Sequence, residues 1–287
     1  IAQQSLDGFL QKFWNHQSNY LNDAYPSFVG KQTAYWLYAL GFDAVLDGVE
    51  RTKGRFYSHW IRTFYEAQKE EGLYSDYYDD ENWMALAFLR ASNMSQMYLN
   101  EKVLSMECLD YVNVLQQDIM NTAWDNTCCG NNTGGLWWDK KHTQKATASN
   151  AGPVILFARL YRLTQNERYL DFAIQVYEFW WTEMVQESGH VCDHISTNGY
   201  KECGWKFTYN EGLVIGASVE LWKVTGLQKY MDNAAKVAKY MIESEVVESQ
   251  YGKVLSDGNQ NSCTGDCMEF KGPGFRYLKL FYESSKD

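Results

Sequence analysis

The chain has 287 residues, 45% of them hydrophobic and 22% charged, a composition that excludes an intrinsically disordered protein and supports a sizeable buried core. A formal net charge of −10 with a pI near 5.1 argues against a nucleic-acid partner, whose phosphates call for a basic surface. No apolar run reaches the length of about 18 residues that spans a bilayer, so no transmembrane helix is expected.

Apolar residues at Leu6, Phe9, Leu10, Phe13 and Trp14 recur at helical spacing, which predicts a first helix within residues 2–20. After a turn at Pro26, further helices are predicted over residues 33–49, 55–68, 79–91 and 97–120. An irregular stretch rich in Cys, Asn and Gly follows over residues 125–142, and such loops tend to carry function on a rigid scaffold. Helices resume over residues 145–163 and 167–184. A second long loop, 186–206, precedes a helix ending near Val224 and another over 227–243. A third loop, 246–269, leads to a last helix after Phe270. The chain thus reads as all-α, with about ten helices and loops alternating with helix pairs. Three connections, at residues 51–57, 163–169 and 224–230, each end one helix, turn, and start the next with an aromatic, which suggests a repeated helical hairpin.

Seven cysteines read better as disulfide staples than as core thiols, and place the chain in an oxidising compartment. Cys192 and Cys203 bracket one loop, and Cys263 and Cys267 another. Adjacent Cys128 and Cys129 are not expected to bridge to each other, and the odd count leaves at least one cysteine outside any intrachain pair. The chain opens at Ile1 without a basic-then-apolar leader, as expected of a mature or trimmed product. Asn93-Met94-Ser95 and Asn131-Asn132-Thr133 are glycosylation sequons, which agree with a secreted reading.

The stretch that points to chemistry is Tyr77-Tyr78-Asp79-Asp80-Glu81-Asn82-Trp83, where a polar loop gives way to an apolar run. Acids at a helix start complement unpaired backbone N–H groups and the helix dipole without any catalytic role. Paired carboxylates flanked by rings are also what glycosidic cleavage needs. One attacks the sugar carbon or activates water, the other protonates the leaving oxygen, and the C–H faces of a pyranose lie flat on Tyr or Trp. No zincin motif, nucleophile elbow, dinucleotide fingerprint or phosphate loop is present. His190-Val191-Cys192-Asp193-His194 has metal-capable side chains, but reads as a solvated loop rather than a zinc site. No metal or cofactor is therefore expected. Most of the eleven Trp and twenty-one Tyr are expected in the core, with the loop residues Trp137, Trp138, Trp205 and Tyr209 set aside as sugar platforms.

Four stretches in consistent order resemble family 76 of the glycoside hydrolases, the endo-α-1,6-mannanases and fungal cell-wall transglycosidases. They are Tyr78-Asp79-Asp80-Glu81-Asn82-Trp83-Met84-Ala85-Leu86-Ala87, Gly134-Gly135-Leu136-Trp137-Trp138-Asp139-Lys140, Phe207-Thr208-Tyr209-Asn210-Glu211-Gly212, and Asp266 with Phe270-Lys271-Gly272. The resemblance implies an (α/α)6 barrel of helical hairpins forming one catalytic domain over residues 1–287. It implies a retaining mechanism with Asp79 as nucleophile and Asp80 as general acid and then base, which requires Asp80 to stay protonated beside an ionised Asp79. Tyr78, Trp83, Trp137, Trp138, Asp139, Asn150, Trp205, Tyr209, Asn210, Asp266 and Lys271 are the expected substrate contacts, and an α-mannan oligosaccharide or polysaccharide the expected partner. A secreted, cell-wall-associated monomer is expected.

The chain departs from the family pattern in places. The second helix has Ala39-Leu40 where the family has an Ala-Asn pair. Ala146 and Ala151 stand where an Asn and a Glu flank the position of Asn150. The family pattern also continues with a helix pair beyond Asp287, so the ring is expected to be incomplete at its C-terminus. Two rivals stand beside the hydrolase reading, a transglycosidase using the same intermediate and a catalytically silent glycan-binding protein. A helical-repeat scaffold for protein partners is a third, and would need a broad exposed apolar face.

Overall fold

Ten α-helices carry the computed structural model, which describes residues 1–26, 31–130, 134–258 and 263–286. They fall into two compact units, residues 1–119 and 120–287. The sequon at Asn131 lies outside the described residues. That at Asn93 has an exposed Asn, but its Ser95 is buried and donates to the Ala91 carbonyl at 2.8 Å.

The first unit holds α1 (Ala2–Phe13), α2 (Tyr35–Arg51), α3 (His59–Glu71), α4 (Tyr78–Met94) and α5 (Lys102–Asp118). The first helix stops well short of residue 20. Asn15 Oδ1 accepts the Gln17 N–H at 2.8 Å, a local turn that competes with the helix. The chain then pairs β1 (Trp14–Asn15) with β2 (Tyr20–Leu21). The fifth helix starts late because Asn100 takes a left-handed conformation, φ 56°. Single π-helical turns, Ser95–Leu99 and Ile119–Ala123, fill the ends that periodicity alone reads as α-helix. Aromatic rings form the core of this unit, as Tyr20 stacks on Tyr38 at 3.9 Å, Phe42 on Phe64 at 4.8 Å and Phe88 on Tyr111 at 4.5 Å. Cys108 lies unbridged here, and burial pushes its thiol up to about 12.

The second unit holds α6 (Thr147–Thr164), α7 (Glu167–Met184), α8 (Thr208–Thr225), α9 (Gln228–Ser244) and α10 (Lys271–Ser284). Its centre is α8, which packs against α6, α9 and α10 and is buried from Asn210 to Leu221. A helix buried on all faces belongs in the middle of a bundle. Glycine permits the close crossings, since a Cβ on Gly212 would meet the Gly274 backbone at 2.7 Å and one on Gly216 the Tyr277 ring at 2.5 Å. The hairpin turns α6–α7 and α8–α9 share one device, a left-handed residue at the helix end, Gln165 with φ 57° and Gly226 with φ 69°. The long loops are not plain coil. One small sheet joins β3 (Gln144–Ala146), β4 (His194–Ser196) and β5 (Lys201–Glu202), and a hairpin pairs β6 (Val246–Ser249) with β7 (Gly252–Leu255).

Cys192–Cys203 and Cys263–Cys267 bridge as expected. Cys128 and Cys129 also bridge to each other, against expectation, with their Cα atoms 3.2 Å apart. The loop through residues 190–194 is likewise not solvated. All five residues are buried, held by the β3–β4–β5 sheet and the Cys192 bridge. No helix among the described residues is long and apolar enough to cross a membrane.

Candidate active site

In the first unit, Asp79 and Asp80 stand in the opening turn of α4, together with Glu81. The residue before the helix, Tyr77, makes no side-chain cap. Ser75 supplies it instead: its Oγ accepts the Tyr77 N–H at 3.2 Å and donates to Asp80 Oδ2 at 2.9 Å, while its own N–H donates to Glu81 Oε1 at 3.2 Å. N–H groups without intrahelical partners and the positive end of the dipole favour acids at this end of the helix. Asp79 and Asp80 are half-buried. Tyr78 and Trp83, expected as sugar contacts, are buried, whereas Tyr77 is the exposed ring of the stretch. Asn82 is fully buried, and among the described residues neither end of its amide has a hydrogen-bond partner.

In the second unit, Gly134-Gly135-Leu136 passes over Phe179 so closely that a Cβ on either glycine would meet that ring at 2.7 Å, and both glycines have positive φ. Asn150, on α6, is fully buried and clamps this loop. Its Oδ1 accepts the Leu136 N–H at 2.7 Å and its Nδ2 donates to the Leu136 carbonyl at 2.9 Å. Asp139 is also buried, with both carboxylate oxygens on Thr143. Trp137 is buried, stacked on His142 at 4.8 Å, while Trp138 is half-buried.

A residue that sequence reading passed over holds the same loop from behind. Lys145 is fully buried, and its Nζ donates to the carbonyls of Asp125, Cys128 and Gly134 at 2.9, 3.1 and 2.6 Å and to Asp125 Oδ2 at 3.0 Å. Burial lowers its pKa, against the opposing pull of Asp125. Desolvation alone would raise the Asp125 carboxyl. Hydrogen bonds from Thr127, the Cys128 N–H and Lys145 outweigh it and hold the group well below the usual carboxylate range.

Asp193, read from the sequence as part of a solvated loop, is a second buried anchor. Its Oδ1 accepts from Asn210 Nδ2 at 2.9 Å and from the Tyr209 hydroxyl at 3.4 Å, and its Oδ2 lies 2.8 Å from His194 Nδ1. It therefore fixes two of the expected sugar contacts at the start of α8. A row of rings runs from His194 to Trp205 (5.4 Å), Phe207 (5.6 Å from Trp205), Phe270 (5.0 Å from Phe207) and Tyr209, which stacks on Phe270 at 4.1 Å. Trp205 is 48% exposed, Tyr209 half-buried, and Asp266 and Lys271 exposed on either side of Phe270 in sequence. The sequence signal for Lys145 is weak, since it is a lone charged residue, and Asp193 shows there only as a member of the run 190–194, without its link to Tyr209 and Asn210.

The profile of Glycosyl hydrolase family 76 matches residues 2–286. The chain belongs to this family. The Saccharomyces cerevisiae protein named mannan endo-1,6-alpha-mannosidase DCW1 is 32% identical over 179 residues, covering 57% of this chain and 38% of that protein. Mannan endo-1,6-alpha-mannosidase DFG5 of the same yeast is 33% identical over 177 residues, covering 56% of this chain and 37% of the relative. This chain thus spans well under half the length of these relatives. Among solved structures, the Lin0763 protein of Listeria innocua superposes with a TM-score of 0.83 at 27% identity, over 99% of this chain and 82% of that one. An inactive variant of the α-1,6-mannanase GH76A of Salegentibacter sp. HEL1_6, in complex with α-1,6-mannotriose, superposes with a TM-score of 0.84 at 23% identity, over 99% and 80%. These likenesses establish the all-α fold of the family, with the α/α hairpin organisation read from the sequence.

Proposed function

We propose that the protein is a retaining glycoside hydrolase that cleaves α-1,6-linked mannan within the chain, with Asp79 as nucleophile and Asp80 as general acid and base. The observation that carries this reading is the family match over residues 2–286, with two adjacent half-buried carboxylates at the opening of α4. The relatives named as mannan endo-1,6-alpha-mannosidases support the substrate class. In the first step Asp79 attacks the anomeric carbon as the glycosidic bond breaks, and the Asp80 proton passes to the leaving oxygen. In the second, water gives its proton to Asp80 and its oxygen to the anomeric carbon, releasing Asp79. Trp138, Trp205 and Tyr209 serve as stacking platforms in this reading, and Asp266 and Lys271 as polar contacts. Trp137, Asp139, Asn150 and Asn210 in the second unit, and Tyr78 and Trp83 in the first, are buried and act by holding the segments that carry them.

Transglycosylation is the same chemistry with a sugar hydroxyl taking the place of water. Three disulfide bridges support a secreted, oxidised setting, and the mannan substrate a place at the cell wall. The whole chain then works as one catalytic domain and as a monomer.

The test is to incubate wild type, Asp79→Asn and Asp80→Asn with α-1,6-mannooligosaccharides, with and without added acceptor, and to follow products by mass spectrometry. Shortened chains from the wild type, lost in both variants, are the expected result. Lengthened chains in the presence of acceptor would identify a transglycosidase. Binding without turnover in all three proteins would overturn the enzymatic reading.

A further inference from the structure

His190, Glu211 and Glu245 converge in the second unit, with one ligand-capable atom of each within 4.8 Å of the others. All three are at least 96% buried. His190 Nε2 lies 2.9 Å from the Cys203 carbonyl, which can only accept, so Nε2 carries a proton. Nδ1 is thereby turned toward Glu211 Oε1, 3.1 Å away, an oxygen that also accepts the Val191 N–H at 2.8 Å.

The other carboxylate oxygens are unmet. Among the described residues, Glu211 Oε2 and both oxygens of Glu245 have no donor, and the two carboxyls face each other. Neither residue accepts a salt bridge from Lys or Arg among those residues. Glu245 sits just past the last residue of α9, Ser244, where the helix dipole presents its negative end and disfavours an acid. A third buried carboxylate, Asp257, bears on both. Its Oδ1 accepts the Thr208 N–H, and its Oδ2 too lacks a partner among the described residues. Burying this much negative charge is costly unless a cation or a proton balances it.

We propose that His190, Glu211 and Glu245 bind a divalent transition-metal ion of the zinc or manganese class, tying the loop of residues 186–206 to the start of α8 and the end of α9. One imidazole nitrogen with two carboxylates suits such an ion better than calcium, which takes oxygen ligands throughout. The His190 Nε2–H bond to a backbone carbonyl is the outer contact that orients a metal-bound imidazole. The Cys192–Cys203 bridge holds that carbonyl in place. Water completes the coordination. The competing occupant is a proton, since burial first, and then the mutual repulsion of the two glutamates on Glu245, push both carboxyls upward. The ion ties down the segment that carries Asp193, Tyr209 and Asn210, and the assignment stands whether or not the protein cleaves mannan.

The test uses the full chain, untagged and purified without chelator. Metal content is measured by elemental analysis, and melting temperature after chelation is followed as Zn2+ or Mn2+ is added. Expected are about one ion per chain and a saturable rise of roughly 5–10 °C on adding metal back. Both are lost in Glu245→Gln, which keeps the shape and removes the charge. Co2+ uptake by wild type, read from its visible spectrum, decides the matter where the variant does not fold. No bound metal, with a melting temperature indifferent to chelator and to added ions, would overturn the site and leave a shared proton. Unchanged metal content in a folded Glu245→Gln would overturn it equally.

Discussion

Ser75 Oγ donates to Asp80 Oδ2 at 2.9 Å while accepting the Tyr77 N–H, so one hydroxyl both caps α4 and aims the proposed acid. Ser75→Ala is expected to lower kcat on α-1,6-mannooligosaccharides about tenfold, near 1.4 kcal/mol, with little change in KM. Ser75→Thr, which keeps the hydroxyl, should recover most of the loss. Equal kcat for wild type and Ser75→Ala would remove Ser75 from the site.

The two classes of tryptophan should separate cleanly. Trp205 is 48% exposed, so Trp205→Ala is expected to shift unfolding free energy by no more than about 0.5 kcal/mol while raising KM roughly tenfold. Trp137 is buried between the His142 ring and the Lys145 ammonium, 5.0 Å from its centroid, and Trp137→Ala should cost about 3 kcal/mol or more in urea unfolding. A stable Trp137→Ala, or a Trp205→Ala with native KM, would reverse the assignment.

Asn150 mimics a strand partner for Leu136, meeting both its N–H and its carbonyl. Removing the amide in Asn150→Ala orphans the buried Leu136 N–H and leaves its carbonyl only the 3.4 Å bond from Ser149 Oγ, at a cost of about 2–4 kcal/mol. Amide hydrogen exchange across residues 134–140 should accelerate by about a hundredfold, ahead of any change in α8. Unaltered exchange there would show that Phe179 and Lys145 suffice to hold the loop.

Asp125 and Lys145 give a pH signature. The folded pKa of Asp125 is depressed, so its contribution to stability is complete above the unfolded value of about 3.9 and is lost as pH falls through the folded value. Asp125→Asn leaves the Lys145 charge buried without its counter-ion and should destabilise by roughly 3 kcal/mol at pH 7. The gap between wild type and variant should narrow as pH falls below about 4. A gap constant with pH would mean that the hydrogen bonds to Thr127 and Cys128, not the charge, carry the effect.

Helix positions were legible because apolar residues at helical spacing need no partner to be recognised. The α7 span, Glu167–Met184, is the one periodicity predicts. Errors collect where a polar side chain or a positive φ ends a helix early, as at Asn15 and Asn100. The Asp79–Asp80 stretch stood out through its own composition. Lys145 did not, and the run from His190 to His194 read as a solvated loop, because their meaning comes from partners, Glu211 and Glu245 among them, that only the fold brings near. Burial is equally silent in sequence: Asn150 and Asp139 look like sugar contacts, yet their polar atoms are committed to Leu136, Ala146 and Thr143.

The three cystines join residues one, eleven and four positions apart, each within a single connection between helices. No bridge has to wait for a distant part of the chain to arrive. A polypeptide emerging stepwise into an oxidising compartment can therefore seal each loop as it appears. Cys108 is the thiol that could interfere, and it is withdrawn into the α4–α5 core as soon as that pair of helices closes.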